Sequence, residues 1–307
     1  MDHRQLIDAA IERIGTIILG KDHQIRLAVA CLLARGHLLI EDLPGVGKTT
    51  LSHVLAQVLG LGYQRIQFTS DLLPADLLGV AIYNRETSSF QFHPGPVFSE
   101  VVLADEVNRA TPKTQSALLE AMEEGQVTVE GETRPLPEPF FVIATQNPVH
   151  QVGTFPLPES QLDRFLMRIE MGYPSPEAER ALLMGEDRNR LRARLEPALT
   201  PAQVLQLQAL VDTVHVSPPI LDYVQDLLDA SRRSPDFPIG LSPRAGLALL
   251  RAARAWALVT GNDAVVPEHV QAVLPPVVTH RLRSATDLGG QAQEHPAEIL
   301  VQSVAVR

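Results

Sequence analysis

The sequence predicts an α/β fold: a mostly parallel sheet flanked by helices and built around a phosphate-binding P-loop, followed by a smaller, C-terminal all-helical domain. Three observations carry that expectation. A glycine-rich Lys-Thr loop joins an apolar strand to a helical pattern; two further apolar segments read as buried strands alternating with helices; and strand signals cease after about residue 172.

The elements follow in order. Ala28-Val-Ala-Cys-Leu-Leu33 has a helical apolar pattern, so Cys31 is expected to be a buried, inert thiol, and as the single cysteine it has no internal disulfide partner. His37-Leu-Leu-Ile-Glu41 reads as a strand, Asp42-Leu-Pro-Gly-Val-Gly-Lys-Thr-Thr50 as a tight loop, and Leu51 to Leu59 as a helix. A short strand, Tyr63 to Gln67, precedes a polar turn-helix stretch from Thr69 to Gly79. Val80 and Ile82 alternate with Ala81 and Tyr83, a polar tip runs from Asn84 to Ser89, and Phe90 and Phe92 resume the alternation. A hairpin over about 80–92 with an exposed apolar face is the expectation.

Val101-Val-Leu-Ala-Asp-Glu106 is an apolar strand ending in two carboxylates, the pattern of a buried parallel strand. Thr111 is expected to cap the next helix, with Pro112 at its first position and Gly125 at its end. A second hairpin is expected over about 126–134, and Phe140 to Thr145 reads as another buried strand. Residues 1–172 are thus expected to form the α/β domain, with Gly172-Tyr-Pro-Ser-Pro176 as its boundary. Residues 173–283 are expected to form the helical domain, with helices near 201–211, 219–230, 243–259 and 267–274, and residues 284–307 a tail of partly poor order.

Composition narrows the function classes. The chain carries 36 acidic against 26 basic residues, a net charge of −10, so a non-specific grip on a nucleic-acid backbone is disfavoured, although a local basic pore is compatible with the count. No stretch reaches the roughly 18 apolar residues of a membrane span, and Met1-Asp-His-Arg4 lacks the apolar core of a secretion signal, so a cytoplasmic protein without membrane insertion is expected. The histidines are scattered, which leaves magnesium carried with a nucleotide as the expected metal.

The loop carries the first piece of chemistry. Pro44, Gly45, Val46, Gly47, Lys48, Thr49 and Thr50 are the expected phosphate contacts: the glycines let backbone N–H groups converge on an anion, the helix points its positive end at it, and Lys48 reaches the outer phosphates. Thr49 supplies a hydroxyl for magnesium. Asp42 stands where the general pattern GxxxxGK[ST] has glycine, a departure confined to the turn at the strand end. Asp105 is the candidate to hold hydrated magnesium and Glu106 the candidate to activate water.

Three further residues are weighed against plainer roles. Asn147 either offers its amide near the γ-phosphate or the attacking water, or forms a turn before Pro148. Arg164 is either an arginine finger reaching a neighbouring subunit, with Arg168 as the substitute candidate, or the partner of Asp163 or Glu159 in an ion pair. Arg244 follows a good cap, Ser242, and Pro243, so it faces the positive end of a helix, a cost of roughly 0.3–1 kcal/mol that a bound phosphate would reverse. An exposed arginine tolerating that cost is the alternative.

Together these segments identify a resemblance. Glu-Asp-Leu-Pro-Gly-Val-Gly-Lys-Thr, Ala-Asp-Glu-Val-Asn-Arg-Ala-Thr-Pro-Lys-Thr-Gln-Ser-Ala-Leu-Leu-Glu-Ala-Met-Glu-Glu, Ala-Thr-Gln-Asn-Pro and Leu-Ser-Pro-Arg-Ala resemble a MoxR-type AAA+ ATPase over residues 1 to about 283. The resemblance implies Lys48 and Thr49 as Walker A, Asp105 and Glu106 as Walker B, Asn147 as sensor 1, Arg164 as the finger and Arg244 as sensor 2. It identifies the first hairpin with the helix-2 insert. It further implies ATP and Mg2+ as cofactors, a hexameric ring with ATP sites between subunits, and a chaperone-like role on partners carrying von Willebrand factor A domains. A nucleotide-gated binding scaffold with little turnover and a nucleic-acid-directed AAA+ motor are the competing readings.

Overall fold

Apolar residues along the central strands serve two opposite faces in strict alternation, and that alternation builds the molecule in layers. The computed structural model describes residues 2–147, 153–185, 188–283 and 296–306. Helices α1 (His3–Gly15) and α2 (Asp22–Leu33) precede β1 (Leu38–Glu41), and a loop then leads into α3 (Lys48–Val58), β2 (Tyr63–Gln67) and the short α4 (Pro74–Leu78). A hairpin of β3 (Gly79–Asn84) and β4 (Ser89–Pro94) is followed by β5 (Val101–Asp105) and α5 (Pro112–Glu124). A second hairpin, β6 (Gln126–Val129) and β7 (Glu132–Pro135), leads to β8 (Phe141–Gln146), α6 (Glu159–Leu162) and β9 (Met167–Ile169). Every named element after β9 is helical: α7 (Pro176–Met184), α8 (Arg188–Ala193), α9 (Pro201–Thr213), α10 (Pro218–Arg233), α11 (Pro243–Val259), α12 (Pro267–Val278) and α13 (Pro296–Ser303).

The central sheet is parallel with strand order β2-β5-β8-β1-β9. Register brings Gln67 beside Asp105 and Glu41 beside Gln146, so the C-terminal ends of four strands share one edge, where ligands of open parallel sheets bind. Leu38, Ile40, Val101, Leu103, Phe141 and Ile143 point into one apolar cluster, which continues through α1, α2 and helices α9 to α13. Leu39, Val102, Ala104, Val142 and Ala144 point into the other, which α5 and the hairpin side complete.

Several local expectations are adjusted. The loop helix begins at Lys48 rather than Leu51. Thr111 occupies the cap position of α5, but its hydroxyl meets that of Thr114 at 3.3 Å instead of a backbone N–H. Helix α12 runs through Pro275 and Pro276 to Val278 instead of ending at Leu274, because Val273, Leu274, Val277 and Val278 are all fully buried and that burial outweighs two missing N–H donors. Strand β9 was not expected, since three residues are too few to show a period. The first hairpin stands clear of the core, with Val80, Ile82, Tyr83 and Phe90 between 44% and 71% exposed. It touches the second hairpin where Arg134 lies 4.0 Å over the Phe92 ring. Within the tail, Pro296–Ser303 forms α13 and buries Ala297 and Leu300, whereas the expectation for residues 284–295 falls outside the described residues. No described helix is long and apolar enough to cross a membrane.

Candidate functional site

Two glycines shape the loop between β1 and α3. Gly45 and Gly47 have φ of 86° and 96°, a region an L side chain enters only under strain, and open space surrounds both. Pro44 and Val46 complete the loop, and Thr49 and Thr50 lie in the first turn of α3 behind Lys48. The unpaired N–H groups and positive end of α3 therefore face the loop. Lys48 is buried; burial lowers its ammonium pKa, an effect opposed by the nearby Asp42, Asp105, Glu106 and Glu41 carboxylates. Its Nζ donates to the Asp42 carbonyl at 2.5 Å and to Asn147 Oδ1 at 3.1 Å.

Asn147 links the loop to the acidic pair. It is 5% exposed at the end of β8, and its Nδ2 donates to Glu106 Oε1 at 2.9 Å. The turn alternative involves Pro148, which lies outside the described residues. Glu106 adopts φ 58°, and its other oxygen accepts from Gln67 Nε2 at 2.9 Å and pairs with Arg109 Nε at 3.0 Å. Buried Asp105 accepts the Thr145 hydroxyl on Oδ1 at 2.6 Å and pairs with Arg65 on Oδ2 at 2.6 Å. Thr145 in turn accepts the Glu106 N–H at 2.9 Å. Lys48, Asn147, Glu106, Thr145 and Asp105 thus form one connected network. Outside that network, Thr49 in the first turn of α3 brings a hydroxyl, and a hydroxyl with the Asp105 carboxylate is the donor chemistry that suits a hard ion keeping most of its water.

Asp42 explains its own departure from the glycine pattern. Its Oδ1 accepts the Leu43 N–H at 2.7 Å and its Oδ2 accepts the Gly172 N–H at 2.6 Å. The carboxylate both closes the turn and ties the loop to the segment where the sheet ends, a task no glycine performs.

The arginines gather elsewhere. Arg164 pairs with Glu123 at 2.9 Å, not with the Asp163 or Glu159 weighed as partners from sequence. Arg244 also pairs with Glu123, at 2.9 Å, and approaches Asp163 at 3.7 Å. Both line a cleft of about 430 Å³ together with Arg251 and Arg254, and no residue of the 42–50 loop lines it. Burial lowers the pKa of Arg251, and Arg35 and Arg244 add to the effect against the counter-pull of Cys31 and Asp212. Arg168 sits in β9 and pairs with Glu41 at 3.0 Å and Glu170 at 3.3 Å, which binds it to the sheet edge of its own chain.

Sequence reasoning did not find Thr145, Gln67, Arg65, Arg109 or Glu123. Gln67 had one usable signal, its place at the end of a strand candidate, which register sets against Asp105. Glu123 had none, because its partners lie 41 and 121 residues away along the chain.

Comparison with known proteins fits this geometry. Residues 37–167 match the family described as ATPase family associated with various cellular activities (AAA), and residues 229–300 match the AAA lid domain. The Bacillus subtilis protein YeaC, itself uncharacterized, is 45% identical across 100% of this chain and 98% of its own length. Chaperone MoxR1 of Mycobacterium tuberculosis is 40% identical over 97% of this chain and 80% of its own, and Protein MoxR of Paracoccus denitrificans 34% identical over 91% and 89%. A crystal structure from Cytophaga hutchinsonii, described as that of a candidate ATPase, superposes with a TM-score of 0.89 at 35% identity, covering 99% of this chain and 96% of that one.

Proposed function

The chain belongs to the MoxR-type AAA+ ATPases, and from that premise we propose that it hydrolyses ATP to drive chaperone-like remodelling of partner proteins. One observation carries the catalytic part. The amide of Asn147 spans from Lys48 at 3.1 Å to Glu106 at 2.9 Å, so the group that meets the terminal phosphate and the group that activates water answer to one side chain.

In this reading the Gly45 and Gly47 backbone and the α3 N-terminus hold the phosphates, and Lys48 exchanges its two internal acceptors for phosphate oxygens. Thr49 and Asp105 would hold magnesium arriving with the nucleotide, which would supply neutralisation of the phosphate charge. Thr145 fixes the Asp105 carboxylate, and Asn147 orients Glu106 toward the water it deprotonates. The α/β and lid domains meet at about residue 172 in this account.

Arg164 and Arg244 serve the site of the next subunit. They are clustered with Arg251 and Arg254 in a cleft that contains no loop residue, on a chain of net charge −10. Glu123 and Asp163 answer part of that charge within the chain, and Asp212 lines the same cleft, so four arginines face three carboxylates there; a phosphate presented by a second copy is the further anion a ring supplies. A hexamer with sites between subunits, working on partners with von Willebrand factor A domains, completes the proposal.

Glu106→Gln should retain Mg-ATP binding and abolish phosphate release; turnover at the native rate would remove Glu106 from its role. Arg164→Ala subunits mixed with Lys48→Ala subunits should recover part of the activity, since each supplies what the other lacks. The scaffold reading is favoured by one feature: Gln67, Arg109 and Asn147 already donate to Glu106, which leaves the carboxylate about one acceptor site, on Oε1, for a water and lowers its strength as a base. Turnover that rises on adding a partner decides for the enzyme, and ATP-dependent association without turnover decides for the scaffold.

A further inference from the structure

The two arginines assigned above to the neighbouring site do not stand independently. Arg164 NH2 meets Glu123 Oε2 at 2.9 Å and Arg244 NH2 meets Glu123 Oε1 at 2.9 Å, so a single carboxylate bridges two guanidinium groups, one per oxygen. The bridge continues into the lid. Arg244 Nε approaches Asp163 Oδ2 at 3.7 Å, and Asp163 Oδ1 takes Arg281 Nε at 2.7 Å. Arg281, with a side chain only 5% exposed at the end of α12, also donates to the carbonyls of Asp163, Phe165 and Leu166 at 3.1, 2.7 and 3.2 Å. Arg281, Asp163, Arg244, Glu123 and Arg164 therefore form an alternating ladder from the lid, across the residues flanking Arg164, to the end of α5.

We propose that Glu123 is a positioning residue: it joins Arg164 and Arg244 into one two-pronged unit that addresses the phosphate held by the next copy, and the Asp163–Arg281 contact sets that unit by the position of the lid. The inference rests on the reading of both arginines as acting between subunits. Glu123 itself does not meet the phosphate, because two anions would face each other. Its work is to hold two like charges at a fixed separation, which otherwise drift apart by mutual repulsion. Arginine side chains lose rotamer freedom when so held before the partner arrives, and preorganised donors need no rearrangement as charge develops.

Glu123→Gln tests this with almost no change of shape. The amide keeps one acceptor oxygen but turns an NH2 group toward the other arginine, so the bridge opens on one side. With the ring in Mg-ATP, kcat should fall about 10- to 100-fold, the loss that misplaced catalytic groups produce, while the Kd for Mg-ATP at the variant's own loop stays within about twofold. The double variant Glu123→Gln/Arg164→Ala should be no slower than Arg164→Ala alone. Mixing Glu123→Gln subunits with Lys48→Ala subunits should restore activity, because the first supply intact loops and the second intact arginines. Glu123→Asp, which keeps the charge one methylene further back, should give an intermediate kcat and covers the case in which the glutamine variant assembles poorly.

Unchanged or raised kcat in Glu123→Gln, additive losses in the double variant, or absence of rescue in the mixture would each overturn the positioning role. The matched mixture of Arg164→Ala with Lys48→Ala separates the two levels of the argument. Failure of that control sinks the arrangement between subunits, whereas its success beside a failed Glu123→Gln mixture sinks the role of Glu123 alone.

Discussion

Replacing Asp42 by glycine restores the general loop pattern and should nevertheless weaken the protein. The Asp42 carboxylate accepts two backbone N–H bonds, from Leu43 at 2.7 Å and from Gly172 at 2.6 Å. Hydrogen bonds to a charged acceptor contribute about 1.5–3 kcal/mol each, and the partial exposure of this site brings that nearer to about 1 kcal/mol each. Glycine adds about 0.5–1 kcal/mol of backbone freedom in the unfolded chain. The sum is about 2.5–3 kcal/mol, which in a chain of this size lowers the thermal midpoint by roughly 5 °C. Calorimetry reads the global change, and hydrogen exchange reads the local one. The amides of Leu43 and Gly172 should exchange about fivefold faster in Asp42→Gly, since about 1 kcal/mol per bond is a factor of roughly five where 1.4 kcal/mol is a factor of ten. Asp42→Asn, with one acceptor oxygen left, should lie between. A glycine variant with the native midpoint and native protection of both amides would refute the assignment of Asp42 as the tie between loop and domain boundary.

Other outcomes follow from the same geometry. Asn147→Ala should cut phosphate release about 10²- to 10³-fold, the usual loss for an oriented donor, with nucleotide affinity largely kept; a native rate would separate the Lys48 and Glu106 ends of the network. Gly47→Ala places a side chain at φ 96° in open space, so the cost is backbone strain of about 1–2 kcal/mol, and titration calorimetry should show weaker Mg-ATP binding; equal affinity would count against the loop as the phosphate cradle. His37 accepts the Val142 N–H on Nδ1 at 3.0 Å and contacts the Met122 carbonyl through Nε2 at 3.2 Å, and burial pushes its pKa down from 6.5 to about 4. Because the folded value is depressed, the unfolded chain takes up the proton first, so this stability is full above pH 6.5 and is lost as pH falls toward 4. The gap corresponds to about 3 kcal/mol, with buried His280 acting in the same direction. Urea unfolding between pH 7 and 5 should show a slope that His37→Gln flattens, and an unaltered slope would assign it to other groups.

What the sequence made legible was whatever is local or periodic. The loop residues Gly45 to Thr49 are contiguous, and Asp105, Glu106 and Asn147 lie at the ends of apolar strands, so a parallel sheet necessarily brings them to one edge. The partners that tune those groups were not legible. Thr145 lies one strand away from Asp105, and its hydroxyl has no marker that distinguishes it from any buried threonine. Arg244 was singled out for an unfavourable place on its helix, and the structure supplies two carboxylates that answer that charge, neither predictable without the fold. Helix α12 shows the opposite failure: Pro275 and Pro276 are strong local stop signals, and tertiary burial overrides them.

The apolar cluster that runs unbroken from Leu38 and Ile143 into α9, α11 and α12 has a practical consequence. Severing the chain near residue 172 would leave both fragments with raw oily walls, so the two halves are not interchangeable cassettes. Anyone transplanting this engine onto another chassis must carry the whole polypeptide, α13 included.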